Sequence, residues 1–243
     1  MTISRGSPVP LYHQLRQAVL EQIAVGELSP GDLIPPESEL QEQYRLSRTT
    51  VRRAIGQLVM EGVLYRQRGK GTFVAYPKLR HGPQRSYGLT GYLYAHGLRP
   101  GWRVVSIRVM PASVSTAQAL GLETGERVYR IERLRLADGE PIGRHVAFVP
   151  FHLGVEVSEG DLLAGDSSLA YLTEAHHIGI TESHRILEAI PASDENARLL
   201  GLTEGSPLLS IRRTTISDEG KPIEYLVALY RGDRFEYYVH FEH

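Results

Sequence analysis

One stretch of this chain occurs twice. Residues 111–142, PASVSTAQALGLETGERVYRIERLRLADGEPI, recur as residues 191–223, PASDENARLLGLTEGSPLLSIRRTTISDEGKPI, 80 positions further on and with one residue added near the end. Each copy predicts a short helix that ends at a glycine, an alternating strand, an Asp/Gly hairpin turn and a second strand. Two copies are too few for a solenoid. We therefore expect one antiparallel sheet with helices packed on it, an α+β domain with a pocket where the two halves meet.

Two predicted helices come before the most basic part of the chain. Pro10 should lie in the first turn of a helix that ends near Gly26. The apolar residues that keep helical spacing along it are Leu11, Leu15, Ala18, Val19 and Ile23. Residues 28–36 are rich in Pro and Gly and break this helix, so a second, short helix is predicted from about Glu37 to Tyr44.

A third helix and a hairpin follow. Ser47 is a good N-cap, because its hydroxyl can accept a free backbone N–H of a helix running from about Arg48 to Glu61. Gly62 closes that helix, and its predicted buried stripe consists of Val51, Ile55, Leu58 and Val59. The strand-like segments VLYR and TFVA then flank QRGKG, which predicts a two-stranded wing with cations at its tip.

The positive charge is concentrated between positions 45 and 70. Seven Lys or Arg residues lie there against one acidic residue, Glu61, in a chain of net charge −1. The seven are Arg45, Arg48, Arg52, Arg53, Arg66, Arg68 and Lys70. Any single arginine could belong to a solvated helix face, but the ordered set of cap, turn, helix and cationic hairpin favours binding to DNA. The predicted DNA-binding residues are Arg48, Thr49, Thr50, Arg52, Arg53, Arg68, Gly69 and Lys70.

Composition divides the chain into two domains. Residues 1–75 form the predicted DNA-binding domain, the polar and basic residues 76–87 a linker, and residues 88–243 a second domain. The first copy of the repeat carries an alternating strand whose predicted common face is Arg127, Tyr129, Ile131, Arg133 and Arg135. Two arginines beside apolar groups indicate an anion site, although an exposed face with ordinary salt bridges gives the same pattern. Thr90 could cap a helix over residues 90–95, whose amides would add anion donors.

Several classes of protein are disfavoured by what the sequence lacks. There is no cysteine, which excludes disulfides and cysteine nucleophiles and fits a reducing compartment. No apolar stretch approaches a membrane span and the N-terminus has no signal-peptide core, so we expect a cytoplasmic protein with no membrane association. The ten histidines show no HExxH spacing, and no GxSxG or phosphate loop occurs. We expect no metal, no cofactor and no enzyme activity.

The segments PLYHQL, GELSPGDLIPPESEL, LSRTTVRRAI and EGVLYRQRGKGTFV resemble the N-terminal winged helix-turn-helix domain of GntR-type bacterial transcription regulators. The resemblance covers residues 8–75 and implies that Arg48, Arg52 and Gly69 contact DNA. A third arginine that the family usually carries is replaced here by Ser38, which predicts an altered operator contact.

The second half resembles the UTRA effector domain of the HutC subfamily, whose fold is similar to chorismate lyase. The segments that carry the resemblance are LTGYLYAHGLRP, RLRLADGEPI, SSLAYL and PIEYLVALYRGDRFEY. It implies an anion site and the effector-binding residues Leu89, Thr90, Arg133, Arg135, His145, Ser168, Glu224 and Tyr230. Ala170 stands where a tyrosine is common, and His145 where an acidic residue is frequent. These departures predict an altered specificity, so no sugar phosphate is assigned.

Three functions compete at this point. The leading one is a homodimeric transcription regulator that binds a palindromic double-stranded DNA operator and, by resemblance, is a repressor released by a small anionic metabolite. The second is a lyase or hydrolase acting on a small carboxylate in the second domain. The third is a DNA-binding protein without any ligand, which the duplicated arginine-bearing domain disfavours.

Overall fold

The computed structural model describes residues 3–67, 69–76, 78–82, 88–158, 160, 168–174 and 176–239 of the 243-residue chain. The chain divides into two compact units, Met1–Lys78 and Leu79–His243. No helix among the described residues combines the length and apolar character needed to cross a lipid bilayer.

Three helices form the scaffold of the first unit. They are α1 (Leu11–Ala24), α2 (Glu37–Tyr44) and α3 (Arg48–Met60). Pro10 was expected inside the first turn of α1 but is the residue immediately before it, where its fixed φ of −55° leads the chain into the helix. Ser47 caps α3 as predicted, because its side chain accepts a hydrogen bond from the Thr50 amide at 3.2 Å.

The wing consists of two short antiparallel strands, β1 (Leu64–Gln67) and β2 (Gly71–Val74). Its tip turns at Gly69, whose φ of +76° is strained for any residue with a side chain.

In α3 the buried side chains are Val51, Ala54, Ile55 and Leu58. Val59, predicted to belong to this stripe, is only partly buried, and Ala54 takes the position because α3 turns its small side chain toward the core.

A six-stranded antiparallel sheet is the centre of the second unit. Its strands are β4 (Pro100–Pro111), β5 (Arg127–Ala137), β6 (Glu140–Pro150), β7 (Ile180–Pro191), β8 (Pro207–Ser217) and β9 (Pro222–Arg231), in the spatial order β4-β5-β6-β9-β8-β7. Strands β3 (Leu79–His81) and β10 (Phe235–Tyr237) form a separate parallel pair. Strand β3 falls within the sequence expected to be a linker.

The duplication seen in the sequence is a structural repeat. Helices α5 (Val114–Leu120) and α7 (Asp194–Leu200) occupy equivalent places and end at Gly121 and Gly201, both with positive φ. Each helix precedes a hairpin, β5-β6 or β8-β9, and the two hairpins meet where β6 pairs with β9. The expected single antiparallel sheet with packed helices is therefore present.

The two faces of the sheet are covered differently. Helices α5 and α7 pack beside β9 and β6 on one face. The other face supports the largest apolar cluster, to which helices α4 (Gly88–Ala95) and α6 (Ser168–Glu174) contribute Leu93 and Leu172. Leu79 of β3 and Phe235 of β10 belong to the same cluster. The chain that enters this unit therefore packs at once against its C-terminal segment.

A buried ion cluster joins the two repeats on the helix-covered face. Glu132 on β5 accepts hydrogen bonds from Arg130 at 2.6 Å and from Arg144 on β6 at 2.7 Å. Arg144 also donates to Asn196 at 2.7 Å and to Glu195 at 3.0 Å, both on α7. Burial raises the pKa of the Glu132 carboxyl, but the hydrogen bonds from both arginines outweigh this and lower it.

Candidate nucleic-acid interface and effector site

The N-terminal end of α3 presents cations to solvent. Arg48, Thr49, Arg52 and Arg53 are exposed and line one depression of the surface. No ion pair joins Arg48 or Arg52 to another residue of the described part of the chain. Glu61, the one acidic residue of the basic segment, forms an ion pair with Arg16, with 2.8 Å between the guanidinium nitrogen and the carboxylate oxygen. The positive charge of Arg48 and Arg52 therefore faces solvent and is not paired with an acidic residue in the described part of the chain.

Two of the predicted contacts are engaged within the protein. The Arg53 guanidinium lies 4.0 Å from the centroid of the Tyr12 ring on α1, which is a cation–π contact. The Thr50 hydroxyl is 2.8 Å from the Ser47 hydroxyl and so belongs to the N-cap. Arg53 keeps its exposure and its charge, whereas Thr50 is half-buried and mainly stabilises the start of α3.

The tip of the wing is partly described. Gly69 and Lys70 are exposed, and the Lys70 amide donates to the Gln67 carbonyl at 3.0 Å, which closes the turn. Arg66 pairs instead with Glu37 of α2 at 3.1 Å. Arg68, a predicted contact, lies outside the described residues. Lys70 therefore carries the positive charge in the described part of the wing tip.

Two buried arginines lie on the sheet face that supports the largest apolar cluster. Arg133 and Arg135 on β5 are 2% and 1% exposed. Their guanidinium carbons lie 4.1 and 4.5 Å from the ring centroid of Trp102, which is directly opposite Arg135 on β4. The indole ring shields both charges from water and offers a weakly attractive π surface. The expected arginine pair is therefore present, with an aromatic support that the sequence did not indicate.

Thr90 is positioned differently from the expectation. Helix α4 begins at Gly88, so Thr90 lies inside the first turn and does not cap the helix. Its hydroxyl accepts a hydrogen bond from Arg135. The cap prediction was wrong, because α4 begins two residues before Thr90. Thr90 still meets the arginine pair, and the neighbouring Leu89 packs against the same apolar cluster.

His145 and Tyr230 form a hydrogen-bonded pair beside the arginines. The His145 Nε2 atom is 2.9 Å from the Tyr230 hydroxyl, and the imidazole lies edge-on to both Trp102 and Tyr230. Burial raises the pKa of Tyr230 to about 12, against the opposing fields of Arg135, Arg213 and Arg185. The hydroxyl is therefore protonated at physiological pH.

Gly143 makes the position of Tyr230 possible. A Cβ atom at Gly143 would lie 2.8 Å from the Tyr230 Cδ1 atom, closer than real contacts allow. The tyrosine ring can rest on the sheet only because this strand position carries no side chain.

Ser168, Glu224 and Arg213 form a second polar group on this face. The Ser168 hydroxyl, at the start of α6, donates to the Glu224 carboxylate. The other carboxylate oxygen of Glu224 accepts from Arg213 on β8 at 2.5 Å. Glu224 is fully buried, so its charge is stabilised by these two donors and not by water.

Four residues near this site were not predicted from the sequence: Trp102, Arg185, Arg213 and Tyr237. Arg213 could have been found, because the repeat aligns it with Arg133. Trp102 depends on the pairing of β4 with β5, and Tyr237 on its 2.7 Å hydrogen bond from Arg185. Neither contact has a local signal in the sequence.

Two known families match the chain. One, described as bacterial regulatory proteins of the gntR family, matches residues 11–74, and the UTRA domain matches residues 95–236. The chain is similar to the HTH-type transcriptional repressor NagR of Bacillus subtilis, with 35% identity over 99% of this chain and 98% of that protein. It is also similar to the histidine utilization repressor of Pseudomonas putida, with 31% identity over 93% of this chain and 90% of that protein.

A solved structure gives the same picture. The crystal structure of PhnF from Mycobacterium smegmatis is similar with a TM-score of 0.61 and 27% identity, and the match covers 96% of this chain and 99% of that one. The similarity therefore extends through both units.

Proposed function

The chain belongs to the gntR family of bacterial regulatory proteins and carries a UTRA domain. On this premise we propose which residues bind DNA and which bind the effector in a ligand-responsive, DNA-binding transcription repressor. The observation that carries the proposal is the exposed, cationic N-terminal end of α3, with Arg48, Thr49 and Arg52 facing solvent and no acidic residue pairing with the two arginines in the described chain. In a helix-turn-helix this end of the second helix enters the major groove.

The basic residues have different roles in DNA binding. Arg48 and Arg52 are positioned to read bases, because an arginine can donate two hydrogen bonds to guanine O6 and N7. Thr49 lies between them and contacts the backbone or a base edge. Arg53, supported by Tyr12, and Lys70 with Gly69 at the wing tip bind phosphates. Arg68 is assigned to the wing contact from the sequence, and Thr50 acts through the N-cap.

The operator-binding form is a homodimer on a palindromic site. Two copies of a helix-turn-helix related by two-fold symmetry read two half-sites about 34 Å apart, one helical turn of DNA. A single α3 offers few base contacts, so pairing two copies supplies the affinity and specificity that one lacks. The chain works in the cytoplasm, where its DNA target lies.

The large sheet of the second unit binds a small anionic metabolite. Arg133 and Arg135, buried against Trp102 and joined to Thr90, provide the anion-binding centre. The remainder of the site is lined by His145, Tyr230, Ser168 and Glu224, and Leu89 packs against the apolar cluster next to Thr90. The proposed role of the site is binding without turnover; the hydrogen bonds of Ser168 to Glu224 and of His145 to Tyr230 support it, because they leave the two residues outside a serine–histidine pair.

The effector signal leaves the site through the C-terminal segment. Tyr230 stacks on Phe235 at the start of β10, and β10 pairs with β3, the first strand after the DNA-binding unit. A ligand that prefers one arrangement of Tyr230 biases β10 and β3, and by linkage weakens operator binding by the same free energy, about 1–3 kcal/mol.

Fluorescence polarisation with labelled DNA from upstream of the protein's own gene tests the proposal. We expect salt-sensitive binding that withstands competition by unrelated DNA, and loss of this selectivity in Arg52→Ala. Arg198→Ala is the matched control, because Arg198 is an exposed arginine of α7 in the second unit. Equal binding to operator and unrelated DNA would refute the proposed readout.

A further inference from the structure

The repeat places an arginine of each copy on the same face of the sheet. Arg213 on β8 is the second-copy equivalent of Arg133 on β5. Arg185 on β7 is directly opposite Arg213 in the β7–β8 ladder, and opposed residues of antiparallel strands point to the same side. Arg185 is half-buried, whereas its strand neighbours His184 and Ile186 are exposed. This half of the sheet therefore has an arginine pair of its own, Arg213 from the second copy of the repeat and Arg185 from the strand that precedes it.

The two arginine pairs have different surroundings. Glu224 is fully buried and pairs with Arg213 at 2.5 Å, while the equivalent position in the first copy is Gly143. Arg185 donates to the Tyr237 hydroxyl at 2.7 Å, which is a neutral partner. Two guanidiniums and one carboxylate leave one positive charge in the second pair. A partly buried positive charge of this kind favours an anionic partner.

Two buried polar atoms near this charge have no hydrogen-bond partner among the described residues. Among the described residues, the Arg213 Nε atom and the Thr215 hydroxyl are buried and have no hydrogen-bond partner. Thr215 is completely buried and directly opposite Glu224 in the β8–β9 ladder. Buried polar groups in folded proteins are nearly always satisfied, so two such atoms beside one net charge indicate a ligand group with oxygen acceptors.

Arginines of both pairs act on the Tyr230 hydroxyl. Burial raises the pKa of Tyr230, and Arg135 on β5, Arg213 on β8 and Arg185 on β7 oppose this rise. Strand β8 is three strands away from β5, about 14 Å at the usual strand spacing. Strand β9, which carries Tyr230, lies between β5 and β8 in the sheet, and arginines of both pairs are close enough to act on its hydroxyl.

We propose that Arg185 and Arg213, with Thr215, form a second anion subsite, so that the effector is a small molecule with an acidic group at each end. Arg133 and Arg135 hold one acidic group, a phosphate or carboxylate. Arg185 and Arg213 hold the other, a carboxylate, with the Tyr230 hydroxyl between them. This inference rests on the effector site of the proposed function and adds the chemical class of its ligand.

Calorimetry on the full chain tests the subsite with matched probes. Glycerol 3-phosphate and 3-phosphoglycerate differ mainly by one carboxylate, and the monocarboxylates butyrate to octanoate are compared with dicarboxylates of equal length. We expect the best diacid to bind at least about tenfold more tightly than its monoacid partner. In Arg185→Met this preference should fall to within about twofold. In Arg135→Met both members of each pair should bind more weakly.

Two further variants separate binding from folding. Arg212→Met is the matched control, because Arg212 is the strand neighbour of Arg213, is 44% exposed and points to the opposite face. It should leave the preference unchanged. Thr215→Val removes the unpartnered hydroxyl at nearly constant volume, so a purely structural role predicts equal or higher thermal stability and unchanged ligand binding. The subsite predicts that the diacid preference falls severalfold in this variant.

Three results would overturn the inference: equal affinities within every probe pair, no binding of any diacid, or the same loss in Arg212→Met as in Arg185→Met. Operator binding measured on the same samples keeps the two proposals apart. If operator DNA is bound selectively while diacids show no preference, the second subsite fails and the regulator assignment stands.

Discussion

Tyr230 lies face to face on Phe235, with ring centroids 4.0 Å apart and ring planes inclined by 12°. Tyr230 also touches His145 in the proposed effector site, whereas Phe235 begins the strand that pairs with Leu79–His81. The Leu79 amide donates to the Arg234 carbonyl at 2.8 Å. One aromatic pair therefore joins the proposed effector site to β3, the first strand of the second unit.

Replacing Phe235 should uncouple ligand binding from operator release. Phe235→Leu removes the stacked ring, and we expect a loss of about 1–2 kcal/mol of stability, diacid affinity within about threefold of the original, and a smaller weakening of operator binding by saturating diacid. Polarisation titrations with and without the ligand measure this coupling. Tyr238→Leu is the control, because Tyr238 is a nearby aromatic residue that is 47% exposed. Unchanged coupling in Phe235→Leu would exclude this route.

The pairing of β3 with β10 should be sensitive to a single methyl group. A Cβ atom at Gly82 would lie 1.8 Å from the Tyr238 carbonyl oxygen, so Gly82→Ala forces the two segments apart. Hydrogen exchange should show faster exchange of the Leu79–His81 amides, with a lower melting temperature. Gly101→Ala is the matched control, since its Cβ would meet only Leu136 at 3.6 Å, an ordinary contact. Equal exchange rates of the Leu79–His81 amides in both variants would show that a methyl group at Gly82 does not disturb the pairing of β3 with β10.

The helix and the wing should contribute differently to DNA binding. Arg52→Ala should reduce the preference for operator over mutated operator by about 1–3 kcal/mol, because a base contact is lost. Lys70→Ala should weaken binding to all sequences alike and reduce the slope of log K against log salt by about one. Titrations at several salt concentrations measure both. A sequence-dependent effect of Lys70→Ala would assign that residue to base readout.

The buried Glu132 cluster should make stability depend on pH. Because its folded pKa lies below the ordinary value of 4.5, Glu132 adds stability above pH 4.5 that is lost as the pH falls through the depressed pKa. Glu132→Gln should therefore lower the free energy of unfolding at pH 7 by about 3 kcal/mol, with the difference shrinking in acid. Urea unfolding from pH 7 to pH 3 measures this. Glu140→Gln, an exposed change on the neighbouring strand, should have little effect at any pH.

Much of the fold followed from short-range patterns. Capping by Ser47 and the extent of α2 depend on residues a few positions apart, so the sequence alone predicted them. The internal repeat implied one pseudo-symmetric sheet, because two copies of the same unit bury their apolar faces by meeting in the middle. The exposed cationic end of α3 followed from helical periodicity and the local density of arginine.

The proposed effector site depends on tertiary structure. Trp102 lies under the two arginines of β5, and Arg53 lies on Tyr12 of α1; each contact joins elements that do not follow one another in the chain. Local sequence fixes which side of a strand a residue occupies, but not which strand lies beside it or where an incoming helix starts. Those depend on how the whole unit excludes water from its apolar surfaces, and they determine which buried charges are paired within the protein and which face a ligand.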